Sequence, residues 1–185
     1  MRGNQWMIRA LLAVGLVAAP AAAPAQAGVD WAAAAAVDGY FVAIRSGDWR
    51  GAAHVVAPEA LEIVKERYWR AAHDDERLWL PGLAAALASP EAWRALDAAD
   101  VFVALLVALD AAAPEMTAGI DDARILELRP GAEGWADVRV EVTQRDDRVT
   151  TVRRVTVRVR RDGAGWLVIP PLDLPKDVAK AQRGW

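Results

Sequence analysis

Residues 135–161 read WADVRVEVTQRDDRVTTVRRVTVRVRR, and their two-residue rhythm decides the fold. Val138, Val140 and Val142 alternate with Arg139, Glu141 and Thr143; Val155, Val157 and Val159 alternate with Thr156, Arg158 and Arg160. Successive side chains of an extended segment point to opposite faces, so one face collects the valines and the other the charges. A sheet with one dry face needs a cover, and the chain before it reads as helices.

Four strands are expected over Ala123–Arg129, Trp135–Gln144, Arg148–Arg161 and Trp166–Ile169. The short Gly- and Asp-rich links between them, including Arg145-Asp146-Asp147, join antiparallel neighbours. Val152 is even-numbered whereas Val155, Val157 and Val159 are odd. One extra residue at Arg153-Arg154, a β-bulge, would return all four valines to one face.

Upstream, Trp31–Arg45 carries Val37, Tyr40, Phe41 and Ile44 at helical spacing behind an Asp30 cap. Gly47 suits a left-handed helix end, and Asp48 suits the cap of a short helix near Trp49–Val56. Pro58-Glu59 opens a third helix to about Ala72, with Leu61, Val64 and Tyr68 on one face. One or two turns follow over Gly82–Ala88, and Ser89-Pro90-Glu91 is a further helix start. Asp97 or Asp100 then leads into Val101–Leu109, nine apolar residues without a break. A helix apolar all round is buried on every side, so this one is expected on the valine face of the sheet. Helices followed by an antiparallel meander make an α+β fold.

Residues 1–27 read as an export signal: Arg2 and Arg9, an apolar run over Ala10–Ala19, then the small-x-small site Ala25-Gln26-Ala27. The expected organisation is a signal peptide (1–27), one α+β domain (28–172) and a tail (173–185), periplasmic or secreted. Removing 27 of 185 residues leaves 158, enough for one domain that needs no disulfide or metal staple. The chain has no cysteine, which excludes a lipid-anchored lipoprotein. Loss of the two leader arginines takes the formal net charge from -3 to -5, and a mildly acidic domain is a poor partner for nucleic acid. No stretch after cleavage is long enough to span a bilayer, which takes about 20 apolar residues.

The segment Val37-Asp38-Gly39-Tyr40-Phe41-Val42-Ala43-Ile44-Arg45-Ser46-Gly47-Asp48-Trp49 resembles the opening helix and Gly-Asp turn of the nuclear transport factor 2-like superfamily. That superfamily includes ketosteroid isomerase and SnoaL-type polyketide cyclases. The resemblance implies a cystatin-like cone, with a curved sheet of about four strands wrapped round helices and a pocket at its open end. It also implies frequent dimerisation through the sheet, so the chain is expected as a monomer or homodimer. Members usually carry a short hairpin after the second helix, where Pro58–Ala88 here reads as helical.

Tyr40 falls where the isomerases place the tyrosine that steadies a developing oxyanion. That mechanism also needs a carboxylate base. Glu62 and Glu66 lie at the matching spacing but face away from the Leu61-Val64-Tyr68 stripe, so catalytic residues are expected to be none. Packing of the Tyr40 ring, with its hydroxyl bonded locally, is the simpler reading. His73-Asp74-Asp75-Glu76 offers metal donors that point in different directions along a helix, so neither a metal site nor a cofactor is expected. Eight tryptophans follow the leader, mostly spread over the helical half, which suits core and rim packing or an aromatic groove. Arg139, Glu141, Arg158, Arg160 and Glu127 form a solvated sheet face able to pair across strands.

These residues lead to an exported, non-catalytic binding or accessory domain of the bacterial envelope, with Tyr40, Phe41, Tyr68 and Phe102 as its expected pocket. Its partner is expected to be a small apolar ligand or a periplasmic protein. The alternatives are an isomerase or cyclase using Tyr40, and an immunity or inhibitor protein with a tryptophan-rich contact surface.

Overall fold

The structure is a computed structural model that describes residues 31–75, 80, 82–114, 117, 119–145 and 149–171. The expected leader, the Asp30 cap, Glu76, Trp79, Asp146-Asp147 and the tail from 173 lie outside these residues.

Six helices precede one sheet among the described residues: α1 (Trp31–Ser46), α2 (Trp49–His54), α3 (Pro58–Asp74), α4 (Ala84–Leu87), α5 (Pro90–Ala95) and α6 (Ala98–Ala112). The sequence marks their ends. Gly47, at φ 71°, closes α1. Its N–H donates to Ile44 O at 3.2 Å, and the Asp48 N–H donates to Ala43 O at 2.9 Å, the paired pattern of a Schellman end. Asp48 then caps α2 by accepting from Gly51 N at 2.9 Å. Ser89 caps α5, and of the two candidate starts for α6 it is Asp97 that caps, accepting from Ala99 N at 2.7 Å. Helix α2 stops two residues short of Val56 because Val55–Ala57 pairs with the sheet: Val168 N donates to Val55 O and Ala57 N to Val168 O. That pairing covers one edge of the sheet.

The strands are β1 (Ile120–Pro130), β2 (Trp135–Arg145), β3 (Thr150–Asp162) and β4 (Gly165–Ile169), antiparallel and in sequence order. Val138 pairs with Val157 and Val140 with Val155, and Val138, Val140, Val157 and Val159 have no exposed surface. The expected bulge at Arg153-Arg154 is absent, because the β2–β3 register runs unbroken from Trp135–Arg160 to Arg145–Thr150. Val152 instead lies opposite Thr143 on the outer face, 56% exposed. The bulges are in β1, between Ile120 and Asp122 and between Ile125 and Glu127. They keep Ala123, Ile125 and Leu128 opposite Val142, Val140 and Val138 although the sequence changes phase.

The helix lying on this dry face is α1, which touches all four strands. The expectation for Val101–Leu109 is corrected here: α6 packs along α2 and α3, and Val107 on its far side is 48% exposed. Small side chains explain the exchange. Ala33, Ala34, Val37 and Ala43 are buried in α1 and let its backbone come close to the strands. Helix α6 still fills the middle of the core with Val101, Phe102, Leu105, Leu106 and Leu109, all fully buried.

The outer face pairs across strands as its charges suggest. Glu141 lies opposite both Arg124 and Arg154, at 2.7 and 3.2 Å, and Arg158 meets Asp137 at 3.0 Å. No described helix is long and apolar enough to cross a membrane.

Candidate functional site

Where α1, α6 and the far ends of β2 and β3 meet, the core leaves a cavity of about 90 Å³, open on one side. Phe41, Ile44, Leu106, Ile120, Val142 and Val155 make its apolar walls, with Tyr40, Thr117, Gln144, Arg153 and Pro171 completing the lining. Each wall residue follows from local structure. Tyr40, Phe41 and Ile44 share one side of α1; Leu106 projects from α6; Val142 and Val155 lie on the inward phase of β2 and β3. The Thr117 hydroxyl donates to the Asp110 carboxylate of α6. Turn bonds from Thr117 N and Gly119 N to Pro114 O then deliver Ile120 to the wall.

Of the four pocket residues expected from the sequence, the structure brings Tyr40 and Phe41 to the cavity, their rings meeting edge-on at 5.6 Å. Tyr68 and Phe102 are elsewhere. Phe102 is closed inside the core. Tyr68 joins an aromatic group beneath α5, 5.9 Å from Trp93, and its hydroxyl accepts from Leu80 N at 3.1 Å. Trp69 completes that group, 5.1 Å from Trp93 and 3.9 Å from His73. His73 Nδ1 lies 2.8 Å from Trp69 O, its own helix, and the described residues hold no cluster of three potential metal ligands.

The Tyr40 hydroxyl is not bonded locally, contrary to the sequence reading: it is buried and has no hydrogen-bond partner. Burial without a partner pushes its pKa up and keeps the phenol neutral. The cost of such an orphan is about 1–3 kcal/mol. No carboxylate or imidazole stands among the described wall residues. Asp110, behind Thr117, is the acid tied to this wall.

Sequence reasoning passed over Gln144 and Arg153, yet both carried a signal. They occupy inward phases of β2 and β3, where polar side chains interrupt a run of valines. Assigning Arg153 to a bulge hid it. Lys65 was passed over too, although it lies on the α3 stripe between Leu61 and Tyr68. It is buried, and its ammonium donates to Leu96 O at 2.7 Å, tying α3 to the end of α5.

No protein-family model matches this chain, and neither a curated protein nor a solved structure matches it.

Proposed function

We propose that this chain is an exported, non-catalytic binding domain that takes a small, mostly apolar molecule into the cavity between α1, α6 and the sheet. The observation that carries this reading is an open cavity walled by Phe41, Ile44, Leu106, Ile120, Val142 and Val155. A cavity lined by aliphatic and aromatic groups with a few polar ones is the usual form of a small-molecule site. Its enclosed volume of about 90 Å³ is below the roughly 150 Å³ of a closed cavity that binds benzene, so it takes a few carbons of an occupant and leaves the rest at the opening. A steroid or a long acyl chain does not fit inside. The likeness of residues 37–49 to the nuclear transport factor 2-like superfamily, and the position of the cavity at one end of the helix–sheet interface, agree with a cone of that type. The leader-like residues 1–27 support a place in the periplasm or outside the cell.

The experiment is a titration with hexan-1-ol followed by calorimetry and thermal melting, on the parent and on Val155→Trp, which fills the cavity. Binding and a raised Tm in the parent, lost in the variant, support the reading. A Tm unmoved by the alcohol in the parent refutes it.

One observation favours a second reading, an isomerase- or cyclase-type enzyme: the neutral, unpartnered hydroxyl of Tyr40 is a hydrogen-bond donor held in reserve. Abolition of a measured turnover by Tyr40→Phe, with binding and stability intact, would establish it over the binding reading.

A further inference from the structure

We infer that the molecule taken by this cavity is a short carboxylate with an apolar body, its anionic end held by the guanidinium of Arg153 at the rim. This rests on the binding reading above and adds a charge to it.

Arg153 lies opposite Val142 and two residues before Val155, on the inward phase of β3. An arginine there must run its stem along the apolar wall and bring its head out at the opening. Arg153 does so: it lines the cavity and is exposed. Its neighbours on the outer phase all have acids. Arg154 is held by Glu141 at 3.2 Å, Arg158 by Asp137 at 3.0 Å, and Arg160 by Glu59 at 2.8 Å. Arg153 alone of these four has no acidic partner among the described residues. A planar guanidinium with free donors, beside an apolar cavity, is matched by a carboxylate that both N–H groups can grip.

Arg153 is the one cation on the described lining, and the Thr117 hydroxyl proton is already committed to Asp110. The acid therefore sits at Arg153 and the hydrocarbon points inward, towards Leu106, Ile120 and Val142. The cavity of about 90 Å³ limits the enclosed part of that body to a few carbons.

Calorimetry at pH 7 and low salt, with hexanoate, hexan-1-ol and hexan-1-amine as probes, separates the two layers of the claim. Hexanoate is expected to bind about tenfold more tightly than hexan-1-ol, and hexan-1-amine more weakly than either. Arg153→Gln is expected to bring hexanoate to within about threefold of hexan-1-ol measured on the same variant, and retained binding of the alcohol there reports that the cavity survives. Arg154→Gln is expected to alter neither. Equal binding of acid, alcohol and amine by the parent overturns the role of Arg153 and leaves the apolar cavity standing. So does an unchanged hexanoate affinity in Arg153→Gln. Failure of all three probes to bind overturns both the cavity reading and this one.

Discussion

Val138 and Val157 face each other across the β2–β3 ladder with no surface left to solvent. Everything placed on the dry face is counted from this pair. Val157→Asp buries a carboxylate against Val138 with no partner in reach, and is expected to cost at least about 3 kcal/mol or to prevent folding. Val152→Asp, five residues away on the outer face, is expected to cost about 1 kcal/mol or less. Urea unfolding of the two variants checks the pair. Comparable losses would mean that Val152 also faces inward and that β3 is bulged after all.

The alternation of residues 135–161 made this sheet legible, and caps at Asp48, Ser89 and Asp97 made the helix starts legible, because both signals are local. Two assignments failed for reasons that are not local. The phase change in β3 has two physical resolutions, a bulge or an exposed valine, and only the register against β2 chooses between them. In β1 the same ambiguity was resolved the other way, by a bulge between Ile125 and Glu127. Hydrophobicity also pointed to α6 as the helix on the sheet, whereas closeness of approach favoured the alanine-rich α1. Of the site, Tyr40 and Phe41 were found through the helix they share; Ile120, Val142, Val155 and Arg153 come from distant strands that the fold alone assembles.

The start of α2 offers a test of coupling. A Cβ on Gly51 would come within 2.2 Å of Asp48 Oδ2, so the glycine makes room for the cap. Asp48→Ala and Gly51→Ala are each expected to lose about 1 kcal/mol. The double variant is expected to lose little more than either alone, because both remove one hydrogen bond. Additive losses in thermal melts would show that Gly51 has a separate role.

Tyr40→Phe removes a buried hydroxyl that has no partner. The ligand-free variant is therefore expected to be as stable as the parent or up to about 3 kcal/mol more so. A loss of more than about 1 kcal/mol in urea unfolding would reveal a hydrogen bond that this arrangement does not contain.

Glu141 carries part of the pH dependence of the sheet, beside Glu127, whose carboxyl the Arg129 hydrogen bond holds down in the same direction. Hydrogen bonds from Arg124 and then Arg154 hold its carboxyl below the usual glutamate range. A depressed folded-state pKa gives stability that is present above the unfolded value, near 4.3, and lost as the pH falls through the folded value. The parent is thus expected to keep its stability at neutral pH and lose part of it below about pH 4.3. Glu141→Gln is expected to show a shallower decline over that range. An identical acid profile for the two proteins would remove Glu141 from the account.

Methyl NMR during a titration with hexan-1-ol reports whether the cavity between α1, α6 and the sheet takes up an apolar chain. Shifts confined to Ile44, Leu106, Ile120, Val142 and Val155, with Val101 and Leu109 unmoved, are the predicted result. Shifts absent from these five methyl-bearing residues, or centred on the other side of the core around Leu61, Leu83 and Leu87, would contradict it.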